Sequence, residues 1–251
     1  MTRFACAPSA LLAAATACGF GFAGPAAAQS ASRTFQPPAG CEAFVTVQYA
    51  QCGVSHHFIC AADPEGWQRR VDMDEDGINY FGAIDAETQW VESLHLRGNF
   101  SETLGAADDP ASFSGLLASG VDRFDFTTES KEVGQTRYVG QDRLTGETVE
   151  IDGVTLDRTE FAITAYAEDG SEMWRSRGSE YISRDWRMFL SGTSTTTAGG
   201  ETWDTNDRPV QFIFPGEAGF LSATPTHGCG VVLSLAPQDP AFEEYSYAPR
   251  L

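Results

Sequence analysis

Apolar and polar residues alternate along most of the chain after residue 40, and a period of two is the pattern of β-strands. In "EAFVTVQY", for example, Val45, Val47 and Tyr49 fall on one side of such a strand. Similar segments, rich in β-branched and aromatic residues, recur between turn signals at a spacing of roughly 8–12 residues, which is typical of all-β domains. The sequence therefore predicts a mainly β protein: a single antiparallel meander forming a barrel, half-barrel or sandwich with one short helix.

The alternation also predicts which side chains are buried in a strand. In "QWVESLHL", Trp90, Leu94 and Leu96 are expected to share the core face. His95 lies between the two leucines and is therefore expected to point outward.

One segment departs from the period of two and predicts the helix. In "DDPASFSGLLASG", Asp109 can cap the N-terminus, Pro110 can occupy the first helical position, and Gly120 can end the helix. Phe113, Leu116 and Leu117 then fall on one side. We expect this helix to cover one end or one face of the sheet.

The N-terminus has the features of a secretory signal peptide. A short basic region is followed by an Ala-rich apolar stretch and by small residues suited to cleavage after Ala28. The predicted organisation is a signal peptide at 1–28 and a single mainly β domain at 29–251. Within that domain we expect a polar loop or hairpin near 191–208 and an irregular tail at 230–251. The predicted location is periplasmic or secreted.

Cysteine usage is consistent with export. Two of the six cysteines fall in the predicted signal peptide, and the others are Cys41, Cys52, Cys60 and Cys229. An even number of cysteines in an exported chain predicts disulfides. Spacing favours a local Cys52–Cys60 bridge with Cys41 joined to Cys229, and the other pairings stay open.

The formal net charge of −19 narrows the range of partners. So acidic a surface repels phosphates, which excludes nucleic acid as the expected partner and disfavours anionic membrane surfaces. No segment after the predicted signal peptide is long and apolar enough for stable membrane insertion.

The stretch "DMDEDG" is compatible with two structures. Asp72, Asp74 and Asp76 have the spacing that begins a calcium loop, but the twelfth position, which should hold a carboxylate, is Ala83. Asp-rich residues before Gly77 also suit a short hairpin turn. The sequence favours the hairpin and no cofactor, with calcium as the alternative.

Motifs for catalysis are absent, and the candidate binding residues lie in one segment. The chain contains no serine-hydrolase elbow, zincin motif or phosphate loop. Residues 172–189 concentrate aromatic and Arg side chains in an otherwise acidic chain. They suit a pocket for an anionic or amphipathic ligand, or else a packed core with paired arginines. The candidates are Trp174, Arg175, Arg177, Tyr181, Arg184, Trp186 and Arg187.

Several segments resemble uncharacterised exported (periplasmic) proteins of marine-type alphaproteobacteria, among them "SHHFICAADPEGWQRRVDMDEDG" and "RSRGSEYISRDWRMFLSG". That resemblance transfers no functional residue. The expected architecture is similar to half-barrel and lipocalin-like carriers. This similarity implies a binding or carrier module that holds a small apolar or amphipathic ligand inside a curved sheet. A carboxylate-based hydrolase and a non-catalytic envelope interaction protein are the alternatives.

Overall fold

The computed structural model describes residues 34–230, which form thirteen strands and one short helix. The elements are β1 (Cys41–Tyr49), β2 (Val54–Cys60), β3 (Gln68–Asp74), β4 (Gly77–Ile84), β5 (Trp90–His95), β6 (Phe100–Asp109), α1 (Phe113–Ser119), β7 (Val121–Ser130), β8 (Gly134–Ile151), β9 (Val154–Ala167), β10 (Glu172–Ser183), β11 (Met188–Ala198), β12 (Glu201–Asn206) and β13 (Pro209–Ile213).

All thirteen strands form one antiparallel sheet in which β1 to β12 pair with their neighbours in the sequence, and β13 adds beside β1. Its edges are β12 and β13, which are not hydrogen-bonded to each other, so the sheet is open. The prediction of a mainly β antiparallel meander with one short helix is confirmed.

The sheet curls so that distant strands meet on one face, which we call the inner face. Val47 of β1 packs with Leu156 of β9, Leu190 of β11 and Phe212 of β13 in one buried cluster. At the tip of the β8–β9 hairpin, the Asp152 carboxylate accepts a hydrogen bond of 2.8 Å from the Phe212 backbone amide. Side-chain packing and this contact therefore hold the curl.

The opposite face of β1 and β2 is covered by flanking chain. Phe35 stacks on His56 with ring centroids 5.2 Å apart, and the Leu221 amide donates to the Thr46 hydroxyl at 3.0 Å. The Gln48 side chain accepts from the backbone amide of Thr226 at 2.9 Å. Thr46 and Gln48 thus have hydrogen-bond partners on a face that is buried rather than solvated.

The helix begins later than the sequence predicts. Asp109 is the last residue of β6 and pairs with Asp125 of β7, which keeps the chain extended past the expected start. Ser112 instead caps α1, and Gly120 ends it with a φ of 81°. The predicted end and buried side are confirmed, while the predicted N-cap at Asp109 and the first helical position at Pro110 are wrong.

All four cysteines after the predicted signal peptide form disulfides, as expected, but the favoured pairing is wrong. The bridges are Cys41–Cys60 and Cys52–Cys229. Cys52 and Cys60 lie near opposite ends of β2, whose 7 residues span roughly 20 Å. A bridge requires Cα atoms within about 7 Å. Cys41 lies directly opposite Cys60 in the β1–β2 ladder, with their Cα atoms 3.9 Å apart.

The stretch "DMDEDG" forms the β3–β4 hairpin, as the sequence favours. Gly77 has a φ of 113°, and the Asp74 carboxylate accepts from the Asp76 amide at 2.9 Å. Asp72 lies on the inner face, where it accepts a hydrogen bond from Ser55. Within residues 34–230 the three aspartates do not converge on one point.

The face assignment in β5 is wrong. The ladder between β4 and β5 shifts by one residue next to the Ile84–Trp90 pair. Trp90 lies on the inner face together with His95, where it borders the cavity, while Leu94 and Leu96 are exposed on the opposite face. A β-bulge of this kind changes the face that later residues occupy.

The polar stretch at 191–208 is ordered as the β11–β12 hairpin rather than a loop. No helix among the described residues is long and apolar enough to cross a membrane. The predicted signal peptide at 1–28 and nearly all of the predicted tail at 230–251 lie outside the described residues.

Candidate functional site

The inner face encloses a cavity of about 720 Å³. This volume lies within the range of roughly 300–1,000 Å³ that is usual for small-molecule sites. Much of the wall is aromatic: Trp90, Phe124, Phe126, Tyr138, Phe161 and Trp174.

Small residues at inner-face positions leave this space open. Gly82 and Ser93 face each other across β4 and β5, and Ser176 and Ala198 lie on β10 and β11. The curled sheet would close over a solid core if these positions carried large side chains. Their size therefore makes the interior a cavity.

The aromatic wall is held by ring-to-ring contacts. Trp90 meets Phe126 and Tyr138 edge to face, with centroid separations of 5.6 and 5.3 Å, and Trp174 lies 6.0 Å from Tyr138. Such edge-to-face contacts fix ring orientation and add to the packing energy. The apolar part of the cavity is thus largely pre-formed.

A positively charged side chain, Arg70, lies on the β3 side of the cavity. The Arg70 guanidinium lies over the Tyr80 ring, 4.9 Å from its centroid, and its Nε is 3.2 Å from an Asp72 carboxylate oxygen. The Arg70 side chain keeps 38% of its surface accessible although protein surrounds it, because that surface borders the cavity. Asp72 compensates its charge.

Two carboxyl groups face the same space from the other side. Asp142 of β8 and Glu180 of β10 flank β9, opposite Phe161 and Thr159 respectively. Desolvation, followed by the nearby Asp122 charge, raises the pKa of Asp142 to about 7. Desolvation and the Asp142 charge raise the pKa of Glu180 to about 8, although Arg70 opposes that shift.

A third carboxyl group in the wall is fully partnered. Burial alone would raise the pKa of Glu102, but bonds from His95 and Thr128 hold that pKa below its usual value. The His95 Nε2 lies 3.2 Å from Glu102, and the Thr128 hydroxyl donates at 2.6 Å. Glu102 is therefore ionised and matched by its own neighbours.

Two fully buried polar atoms at the cavity wall lack partners among the described residues: the Nε2 of His57 and the Oε1 of Gln68. His57 is only 4% exposed. Desolvation and the Arg70 charge lower its pKa to about 3, so the ring is neutral. His56 points to the opposite face, as expected for adjacent strand residues.

Residues 34–230 offer one cluster of groups close enough to bind a metal: Cys52, Cys229 and Glu75. Both sulfurs of that cluster belong to a disulfide, so neither can act as a thiolate ligand.

The candidates predicted in residues 172–189 are not brought together. Trp174 lines the cavity, whereas Arg175 and Arg177 are exposed on the outer face of β10. Tyr181 and Trp186 pack against the buried cluster around Val47.

The last two of these candidates have structural contacts. Arg184 pairs with Asp157 at 2.5 Å on the surface. Arg187 lies over the Phe113 ring and pairs with Glu87 at 3.0 Å, which fixes α1 against the β4–β5 turn. Among these candidates, only Trp174 is a cavity residue.

The cavity carboxyl groups have a signal in the sequence that was missed. Asp142 falls two residues from Leu144 and four from Tyr138, on the side of β8 that the alternation assigns to the interior. Glu180 likewise precedes the buried Ile182 by two residues. A charged residue at a position where the alternation predicts an apolar one lowers the stability of the fold, and a functional role can explain why it is there.

Comparison of the whole chain with family models, with curated proteins and with solved structures finds no match.

Proposed function

We propose that this protein is a binding or carrier module for a small amphipathic ligand. The observation that carries the proposal is the cavity of about 720 Å³, with its ordered aromatic wall and its separate polar side. A large apolar pocket with a few converging polar groups is the usual form of a small-molecule site. The two disulfides suggest an oxidising environment, and we propose a periplasmic or secreted location.

Filling the cavity should weaken ligand binding. We expect Ser176→Trp to weaken the affinity for N-phenyl-1-naphthylamine, a neutral apolar fluorophore, by at least about tenfold, since the added indole would occupy the cavity. The matched control is Arg177→Trp, which adds the same side chain to the exposed face of the same strand. Fluorescence titration of the wild type and both variants measures the effect.

A circular dichroism spectrum and a thermal melt of each variant show whether it is folded. Equal affinity of the two folded variants would place the fluorophore outside the cavity. Failure of the wild type to bind this fluorophore or any amphiphile would contradict the proposed function.

A carboxylate-based hydrolase is a second candidate because of Asp142 and Glu180. A carboxyl group whose pKa lies near neutrality can act as a general acid at physiological pH. Turnover of p-nitrophenyl esters or glycosides that both Asp142→Asn and Glu180→Gln abolish would favour the hydrolase. Binding without turnover would favour the carrier.

A further inference from the structure

The Asp142 and Glu180 carboxyl groups have no hydrogen bond or ion pair with any other residue in the described range 34–230. They line the cavity, where each is only partly exposed to solvent, and desolvation raises the pKa of both. Buried polar groups in native proteins nearly always have partners. Two acids without partners in the wall of one cavity point to a partner supplied from outside the chain.

The other charges around the cavity are already compensated. Arg70 has Asp72 at 3.2 Å, and Glu102 has hydrogen-bond partners in the Thr128 hydroxyl at 2.6 Å and His95 at 3.2 Å. The acid pair is therefore the part of the polar wall without an ion pair, although the Arg70 charge favours ionisation of Glu180. Its potential favours a cation over an anion.

The unpartnered neutral atoms of the cavity wall favour the same kind of ligand. The Oε1 of Gln68 can only accept hydrogen bonds, and the Nε2 of His57 accepts when the ring proton is on Nδ1. Together with two carboxylates they form a set of acceptors. An ammonium group brings up to three donors and no acceptor.

The apolar part of the ligand has a defined place. On β8 the inner-face position of Asp142 is four residues from Tyr138 in the aromatic wall, a separation of roughly 13 Å along a strand. This is roughly the length of an extended chain of ten carbons, at a rise of about 1.3 Å per methylene, and falls well within a drug-sized cavity.

We infer that the ligand is a cationic amphiphile whose ammonium group binds between Asp142 and Glu180 and whose apolar chain extends toward Tyr138 and Trp90. This inference rests on the proposed function and names the ligand class of the same cavity.

Displacement of N-phenyl-1-naphthylamine at pH 8.5 by three ten-carbon probes tests it. Decylammonium should bind at least about tenfold more tightly than decanol, and decanoate should bind most weakly, because only the ammonium pairs with the acids. In the double variant Asp142→Asn/Glu180→Gln, decylammonium should fall to the affinity of decanol. The affinity of decanol should not change.

Glu160→Gln is the matched control, since Glu160 is exposed on the opposite face of β9. This variant should keep the preference for decylammonium. The preference of the wild type should also increase between pH 5.5 and pH 8.5 as the acids ionise. Asp122 opposes ionisation of Asp142, and Arg70 favours ionisation of Glu180.

Equal binding of decanol and decylammonium, or tightest binding of decanoate, would overturn the cationic ligand and leave the carrier function standing. Failure of all three probes to displace the fluorophore from a wild-type protein that binds it would also overturn it. Failure of the wild type to bind fluorophore or probes would instead count against the proposed function.

Discussion

Replacing Cys52 and Cys229 with alanine should lower the free energy of unfolding by about 5 kcal/mol, because their bridge restricts the unfolded chain strongly. The two cysteines are separated by 177 residues, whereas Cys41 and Cys60 are separated by 19. On the same model, removing the shorter bridge should cost about 3 kcal/mol. Urea unfolding of the two double variants measures both values.

The longer bridge also holds the segment that covers β1. The Cys52 amide donates to the His227 carbonyl at 2.8 Å, beside the disulfide. We therefore expect the loss of this bridge to expose the buried Gln48 and Thr46 as well. A smaller loss of stability on removing Cys52–Cys229 than on removing Cys41–Cys60 would contradict this account.

Neutralising the acid pair should make the protein more stable at alkaline pH. In an unfolded chain Asp and Glu ionise near pH 4, whereas folding raises the pKa of Asp142 to about 7 and that of Glu180 to about 8. The folded state then binds more protons between these values, so stability falls as the pH rises from about 4.5 to about 8. The Asp142→Asn/Glu180→Gln variant lacks this loss.

We expect the free energy of unfolding of the variant to exceed that of the wild type by about 3 kcal/mol at pH 8.5. This is less than the full pKa shifts imply, because cavity water solvates the carboxylates. Near pH 4.5 the two proteins should be nearly equal. His56 and His57 have lowered pKa values of about 4 and about 3, so the unfolded chain binds protons at these residues first as the pH falls below about 6.5. Each of them therefore lowers the stability of the protein in that range. This contribution of the two histidines is the same in both proteins, so it cancels from the difference in stability between them.

Urea unfolding across this pH range, with Glu160→Gln as the control, measures that difference. A variant that is less stable than the wild type at pH 8.5 would show that the acids stabilise the fold. A difference that does not change with pH would show that the carboxyl groups titrate normally.

The strand pattern could be predicted because alternation follows directly from strand geometry. Val45, Val47 and Tyr49 lie on one face of β1, as their spacing requires. Local irregularities could not be predicted in the same way. The shift beside Trp90 reverses the expected orientation of His95, and it depends on the pairing with β4 rather than on β5 itself.

Disulfide pairing could not be predicted either, because it also depends on how neighbouring strands pair. Cys41 and Cys60 meet because the β1–β2 register places them opposite each other. That register follows from how the hairpin turns near Cys52, which the spacing of cysteines does not encode. Favouring the shortest loop therefore gave the wrong partner.

The site could be predicted only in part because its residues come from distant strands. Trp174 was identified from a segment rich in aromatic residues. Arg70, Asp142 and Glu180 line the same cavity only because the sheet curls. The neighbouring arginines of β10 point outward because adjacent strand residues alternate in face. A cluster in the sequence was thus divided between two faces.

Native mass spectrometry of the protein, purified without detergent from cells that make it, tests the central claim most directly. We expect one amphiphile per chain as added mass, released on collisional activation and absent from Ser176→Trp but present on Arg177→Trp. A bare chain mass that stays unchanged when decylammonium, decanol or decanoate is added would contradict a ligand-binding cavity.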